Sequence, residues 1–361
     1  MPQKLRLATF NCENLFSRAR VLNLVDRQRS TELLEQIDAL QSLLAQASYS
    51  AADKRRIAEL AKALSRYVDV GVDRGKLFAG TGARRRVVAG GAADWEGGLR
   101  FRRASFAELQ RENTAQVLRA VDADVQCLVE VEDRNTLDAF NRQLLRGRYG
   151  WNLLIDGFDP RGIDLGLLSK LPFADLRTHI FDRDGRSRTF SRDCLEVAVP
   201  LADGRTLHLL LNHFKSQGYG DARANDNKRR RQAGAVARIL AERHDLSRDL
   251  VAVLGDFNDS PQRAPQCLAP LLQMPALSDV LALQFPIADD RWTFHYRRNE
   301  QIDYILVSDA LKACFRRAGV ERRGMHDLAA NTIDREQPFP GVTSATNAAS
   351  DHAAVWADFE F

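Results

Sequence analysis

Apolar residues along the chain fall into short runs that stop abruptly at polar side chains. The clearest is Val251-Ala252-Val253-Leu254, which ends in Gly255-Asp256-Phe257-Asn258. Four apolar β-formers without polar alternation predict a strand covered on both faces. Residues two apart on an extended chain point the same way, so Asp256 and Asn258 are expected at one rim. Leu5 to Thr9 alternates and runs into Asn11, Glu13 and Asn14; Val125 to Val129 finishes at Glu130; Leu207 to Asn212 finishes at His213. Ile302 to Val307 and Ser350 to Trp356 complete the series with Asp303, Asp351 and His352.

Between these runs the period changes. Leu33, Leu34, Ile37, Leu40, Leu43 and Leu44 recur at helical spacing, as do Ile57, Leu60, Ala61 and Leu64. Ser50, with Asp53 three residues on, predicts an N-cap for the second of these helices. Further helices are expected over 106–121, with Leu109, Val117 and Leu118 turned toward a core, and over 137–147 and 225–243. Trp151 to Ile155 and Leu165 to Ser169 read as strands flanking the turn Asp159-Pro160-Arg161-Gly162. Asp193 to Pro200 and Thr206 to Asn212 predict a hairpin around Asp203-Gly204. Gly71 to Gly98, rich in glycine and arginine, reads as loop with one hairpin. Strands alternating with helices place the chain in the α/β class.

Hydrophobic residues make up 45% and charged residues 28% of the 361, an ordinary balance for a globular protein. The net charge of +4 is mild, but arginines come in runs: Arg84 to Arg86, Arg229 to Arg231, Arg316-Arg317. Arginine forks suit phosphate and carboxylate equally. The run at 229–231 is expected on a solvated helix face, and that at 84–86 on a basic loop able to grip a nucleic-acid backbone. Five cysteines are scattered singly, without metal-ligand spacing, as small core residues of a reducing compartment. No apolar run reaches membrane-spanning length and no signal peptide is recognised, so a cytoplasmic location is expected.

The polar strand ends share a chemical type. Asn11, Glu130, His213, Asp256, Asn258, Asp303, Asp351 and His352 are carboxylates, carboxamides and imidazoles, with no serine or cysteine nucleophile among them. Such a set suits a hard, oxygen-liganded divalent cation and an activated water. Zinc fits poorly, since HExxH and cysteine pairs are absent.

The motifs Thr9-Phe10-Asn11, Leu128-Val129-Glu130-Val131, Asn212-His213, Gly255-Asp256-Phe257-Asn258, Ile302-Asp303-Tyr304 and Ser350-Asp351-His352 stand in an order that resembles the endonuclease/exonuclease/phosphatase superfamily, the DNase I-like fold. The resemblance spans the chain except about 17–105. It implies one 1–361 domain, a two-sheet α/β sandwich with flanking helices, interrupted by a 17–105 insertion of two helices and a basic glycine-rich loop. It also implies a Mg²⁺-dependent phosphodiesterase, with Mn²⁺ or Ca²⁺ as substitutes and DNA as the substrate. A phosphatase or phospholipase C-type enzyme acting on inositol phosphates or sphingomyelin is the alternative for the same site. No obligate protein partner is indicated.

Carried over motif by motif, Glu130 is the metal ligand, joined by Asn11 and Asp351. Asp256 and Asn258 handle water and a phosphate oxygen. His352, with Asp303 as its carboxylate partner, is a second acid/base or phosphate-contacting group. Which of Asp256 and His352 is base and which acid stays open at this level. His213 matches members with histidine at this strand end, and Asp164 is assigned as the carboxylate that orients it. Lys215 and Arg192 are further candidates for substrate phosphate, against a solvated loop for Lys215 and a structural ion pair for Arg192.

Overall fold

Period-2 alternation decides the architecture. In the strand Lys4–Leu15 (β1), Leu5 and Leu7 face one side while Ala8 and Phe10 face the other, and both sides are buried. A strand apolar on both faces needs a layer on each, and the computed structural model shows those layers. It describes residues 3–361 except 18, 23, 25, 105, 107, 219, 327 and 329–335. Two compact units are present, one formed by Met1–Phe16 with Phe106–Phe361, the other by Ser17–Ser105.

The first unit holds two six-stranded sheets. Besides β1, these two sheets contain Val125–Val131 (β2), Trp151–Leu154 (β3), Asp164–Ser169 (β4), Asp175–Thr178 (β5), Cys194–Pro200 (β6), Thr206–His213 (β7), Leu250–Asp256 (β8), Leu277–Asp279 (β9), Asp303–Ser308 (β10), Phe315–Glu321 (β11) and Ala354–Glu360 (β12). One sheet runs β11-β12-β1-β2-β4-β3 and the other β9-β10-β8-β7-β6-β5. Each is built around one parallel pair, β1 with β2 and β7 with β8, and every other pairing is antiparallel. The parallel strands therefore end at the same rim where β10 and β12 begin.

Between the sheets lie Leu5, Leu7, Cys127, Leu209, Leu211, Ala252, Leu254, Ile305 and Val355, all buried. Helices Leu109–Val121 and Arg134–Leu144 cover the outer face of the first sheet through Val117, Leu118, Leu137 and Phe140. Helix Ala222–Arg243 covers the second through Ala233, Val236 and Leu240. This is the DNase I-like α/β sandwich.

The expected 193–212 hairpin is present as β6–β7. Leu109, expected to face a core, is instead exposed at its helix start. Arg229, expected in solvent, is fully buried: it pairs with Asp226 and donates to the Lys215 carbonyl at 3.0 Å. Burying a guanidinium requires such partners, and helical period alone does not reveal them. All five cysteines are buried and free.

The second unit packs helices Arg27–Leu44 and Ala51–Ala63 around Leu33, Ile37, Leu40, Ile57 and Leu60. Ser50 caps the second helix in a reciprocal capping box with Asp53, as the sequence predicts. Its glycine-rich part is more ordered than a loop with one hairpin: Val68–Gly75 pairs antiparallel with Trp95–Phe101, and Phe78–Ala79 pairs with Arg86–Val87. Val68, Val70 and Trp95 join the unit's core, while Asp69 and Asp73 meet Arg102 and Arg100 across the ribbon. Glycines masked that alternation in the sequence. No helix among the described residues is long and apolar enough to cross a membrane.

Candidate active site

The inward-facing rows of four core strands end in polar residues. On β1 the row Leu5-Leu7 reaches Asn11; on β7 the row Leu207-Leu209-Leu211 reaches His213; on β8 Leu250-Ala252-Leu254 reaches Asp256; on β10 Val307-Ile305 reaches Asp303. Period 2 thus aims all four side chains into the space between the sheets at one rim. Glu130 breaks the parity of β2. Its φ of 65° lies in the left-handed region, at an irregularity of the β2–β4 register between Val129 and Val131. His352 precedes β12 and completes the group.

Phe257 turns the other way, into the outer core, where it stacks between Phe214 at 4.9 Å and Tyr304 at 5.0 Å. The Tyr304 hydroxyl donates to the carbonyls of Asp259 and Gln301. This aromatic stack fixes the Asp256–Asn258 turn. Gly255, with φ of 134°, is dictated by a close approach, since a Cβ there would lie 1.9 Å from the Asn212 carbonyl oxygen. That closeness keeps β7 against β8 and holds His213 Nε2 3.7 Å from Asp256 Oδ2.

Asp256 accepts three hydrogen bonds: from the Asn258 backbone at 2.8 Å, and from the Asn258 and Asn11 carboxamides at 3.0 Å each. Burial, the dominant influence, pushes its pKa up, and Asp303 adds to the effect while His352 and the donors oppose it. His352 Nδ1 lies 2.9 Å from Asp303 Oδ2, which also accepts from the Thr293 hydroxyl at 2.7 Å. Burial disfavours charge on His352, but Asp303 and then Asp256 outweigh it and hold its pKa well above the ordinary value. His213 is the opposite case. Burial, reinforced by Arg192, His352 and Arg161, drives its pKa well below the ordinary value. The two imidazoles are thus pushed in opposite directions, a separation that divides acid from base roles.

The cavity at this rim measures about 340 Å³ and is lined by Asn11, Glu130, His213, Asp256, Asn258, Asp351 and His352. Glu13, Asn14, Arg161, Ser216, Gln217, Phe294 and Tyr296 also line it. Four of its residues hold left-handed φ without being glycine: Glu13 at 47°, Asn14 at 64°, Glu130 at 65° and Asn258 at 53°. Strained backbone of this kind persists where surrounding structure enforces it, often at functional sites. Glu13 has its pKa raised to about 7, by burial first and by Asp351 second.

Three of the sequence-level assignments are not met. Asp164 does not orient His213: its carboxylate accepts the Gly157 N–H at 2.9 Å, and His213 Nδ1 has no partner among the described residues. The turn at 159–162 folds Asp164 back onto its own loop. Arg192 is buried, donating to Asp159 at 2.8 Å and to the Phe214 carbonyl at 2.7 Å, so it is the structural ion pair and does not line the cavity. Lys215 lies on Ser216, with Nζ 3.3 Å from its carbonyl, and only the following residues Ser216, Gln217 and Gly218 reach the cavity. Asn258 donates to Asp256 and, at 3.2 Å, to the Phe214 carbonyl, which makes it a brace for the carboxylate. Asn11 does the same from the opposite sheet, its carboxamide oxygen accepting the Glu13 N–H at 3.0 Å. Arg161, Thr293 and Glu13 were missed by sequence reasoning. Arg161 was hidden in a turn, and Thr293 carries no motif; Glu13 stood in the polar tail after Asn11.

The donor set fits a hard divalent cation. Glu130 presents its carboxylate to the cavity, Oε2 accepting from the Asn14 N–H at 3.1 Å and Oε1 lying 3.9 Å from His213. Ligand atoms of Asp256, Asp303 and His352 also lie within 4.8 Å of one another, and Asp303 Oδ1 is buried without a partner among the described residues. In that trio, however, Asp303 is already engaged by His352 and Thr293. Glu130 is the freer ligand.

The profile of the Endonuclease/Exonuclease/phosphatase family matches residues 90–352. The chain belongs to this family, whose fold is that of metal-dependent phosphoester hydrolases. Among solved structures it is similar to an endonuclease/exonuclease/phosphatase from Beutenbergia cavernae, at 17% identity and TM-score 0.50 over 70% of this chain and 66% of that one. It is also similar to D. rerio TDP2 complexed with a single-strand DNA product, at 15% identity and TM-score 0.49 over 70% and 92%. A third is beta toxin from Staphylococcus aureus, at 16% identity and TM-score 0.49 over 69% and 90%. No curated protein matches the chain significantly.

Proposed function

We propose that the chain is a Mg²⁺-dependent phosphodiesterase that hydrolyses DNA by in-line attack of water. The observation that carries this reading is the cavity in which the inward rows of β1, β7 and β8 end as Asn11, His213 and Asp256, beside Glu130 and His352, with Asp303 at the end of the β10 row buried against His352. Asp256, braced by Asn11 and Asn258, takes the proton from the attacking water; a raised carboxylate pKa suits a base working near neutral pH. His352, held cationic by Asp303, directs Nε2–H at the phosphoryl oxygens, where charge builds in the transition state. Neutral His213 offers a hydrogen bond between Glu130 and Asp256. Glu130, with Asn11 and Asp351 near it, would hold the cation, which when bound neutralises the phosphoryl group and its leaving oxygen. Arg161 at the cavity wall favours an anionic substrate, and the 17–105 unit is an insertion in this catalytic domain. Free, buried cysteines accord with a cytoplasmic enzyme.

The test is metal-dependent cleavage of supercoiled plasmid, single-stranded DNA, RNA, sphingomyelin and a phosphoinositide by purified protein with Mg²⁺, Mn²⁺ or EDTA. DNA cleavage that requires Mg²⁺ and is lost in His352→Ala and Glu130→Gln supports the reading. Absence of metal-dependent cleavage, or cleavage indifferent to both substitutions, removes it.

A further inference from the structure

The catalytic cavity is flanked on two sides, and each flank combines an exposed aromatic ring with one arginine, Arg297 on the first and Arg188 on the second, whose guanidinium lies against that flank's rings. One flank is the hairpin Phe294–Tyr296/Arg298–Glu300, just before β10. Phe294 is bridged to His352, and their rings lie 4.8 Å apart. Tyr296, 63% exposed, lines the catalytic cavity, and the Arg297 guanidinium stands 5.2 Å from its ring. Beyond the hairpin a second cavity of about 620 Å³ is lined by Trp292, His295, Arg297, Arg298 and Asn299, and shares Glu300 with the first.

The other flank comes from the loops around β4, β5 and β6. The loop that gives Arg161 to the catalytic cavity also carries Phe158, whose ring meets Phe181 edge-on at 5.8 Å. The Arg188 guanidinium lies 3.5 Å over Phe158, and Phe181 is 66% exposed. Strand order sets where the flanks stand. Across the sheets the sequence is β12-β1-β2-β4 and β10-β8-β7-β6. The catalytic groups occupy the middle of that row, the hairpin its β10/β12 end, and Phe158, Phe181 and Arg188 its β4/β6 end.

An exposed ring beside an arginine offers a π-face for a base and a charge for the neighbouring phosphate, sequence-tolerant contacts suited to unpaired nucleotides. A duplex keeps its base faces stacked inside, and a small phosphoester reaches only the middle of the row. We propose that the substrate is a single-stranded stretch of polynucleotide running from one flank to the other, so that the cleaved phosphate is internal to the strand. Tyr296 and Arg297 bind nucleotides on one side of it, and Phe158, Phe181 and Arg188 bind them on the other. This inference rests on the phosphodiesterase reading above and adds strand form and endonucleolytic cleavage to it.

The experiment compares oligothymidylates from dinucleotide to dodecanucleotide with bis(4-nitrophenyl) phosphate, in Mg²⁺. The expected result is a kcat/KM that rises with length, about tenfold for each flank engaged, with internal cleavage and slower cleavage of the annealed duplex. Arg297→Ala and the double variant Phe181→Ala/Arg188→Ala should each lose about tenfold on the dodecanucleotide, far more than on the small diester. Hydrolysis of the small diester without a gain from length, or cleavage from strand ends only, overturns the inference alone. So does loss of binding to phosphatidylcholine–sphingomyelin vesicles in these variants with oligonucleotide cleavage unaffected, which would make the flanks a lipid-facing surface. No metal-dependent hydrolysis even of the small diester removes the phosphodiesterase reading, and this inference with it.

Discussion

His352 Nδ1 and Asp303 Oδ2 meet at 2.9 Å across the sandwich, one just before β12 and the other at the start of β10, with both side chains buried. The contact fixes which ring nitrogen faces the cavity: with Nδ1 turned to the carboxylate, Nε2 is left 4.0 Å from Asp256 Oδ2 and 3.5 Å from the Asn11 amide. It joins the two sheets at the point where charge is needed.

Asp303→Asn should lower kcat by about 10²- to 10⁴-fold and shift its alkaline limb toward lower pH. Asp303 raises the His352 pKa, and the imidazolium disappears as pH rises through that value; without Asp303 it disappears sooner. Stability follows the same linkage. The raised pKa contributes stability that is fully present below about 6.5, the unfolded value, and is lost as pH rises through the folded value. The pH profiles of kcat and of Tm for wild type and variant check both statements. An alkaline limb that stays in place would show that His352 does not titrate in the reaction.

Asp256→Asn should reduce hydrolysis by at least about 10²-fold, the lower range for loss of a general base, while leaving substrate binding measurable. The fold should survive at a cost of about 1–3 kcal/mol. The cost arises because three donors already converge on this side chain, and an amide must present its own N–H to one of them. Single-turnover cleavage and a denaturant titration separate the two effects. In wild type the acid limb should report Asp256, with activity falling as pH drops through its raised pKa.

Much of this cluster is legible in the strand pattern itself. Alternating strands that stop at Asn11, His213, Asp256 and Asp303 announce both the inward face and its polar end, because period 2 carries the direction of the side chain along with its hydrophobicity. Glu130 reaches the same rim although it violates that period, since the chain turns there through a left-handed residue. What the pattern lacks is partnership. Asp164 and His213 lie on strands of different sheets, and nothing in either segment says that Asp164 would bond to Gly157 instead. Arg229 looks like solvent-facing charge and Arg192 like either a phosphate contact or an ion pair, yet Asp159, Asp226 and two backbone carbonyls draw both inward. Such contacts arise between distant segments and leave no local period.

Gly255→Ala should cost roughly 1–3 kcal/mol and impair catalysis more than one added methyl would elsewhere. The backbone at φ 134° is unsuited to a side chain, and the methyl would strike the Asn212 carbonyl. Relief requires β8 to move from β7, which separates His213 from Asp256. Urea unfolding gives the stability change and kcat the catalytic one. A variant with wild-type kcat at full occupancy of the fold would show that the His213–Asp256 spacing is not needed.

Removing the cation with EDTA should abolish hydrolysis, and Glu130→Gln should raise the Mg²⁺ concentration for half-maximal activity by at least about tenfold, the smallest loss typical even for groups that only support a metal ligand. A readout without turnover is available because a cation that binds only the folded state stabilises it, by about 2.7 kcal/mol at a hundred times its Kd. Wild-type Tm should therefore rise with Mg²⁺, and Glu130→Gln should lose most of that rise. The same titration on Asp303→Asn discriminates the two groups of ligands. If the cation sits at Glu130, the Tm response persists in Asp303→Asn, since Asp303 serves His352. If the response survives in Glu130→Gln and vanishes in Asp303→Asn, the cation belongs with Asp256, Asp303 and His352. His352 would then be a ligand in its neutral form, and the division of roles between the two histidines would have to be reversed.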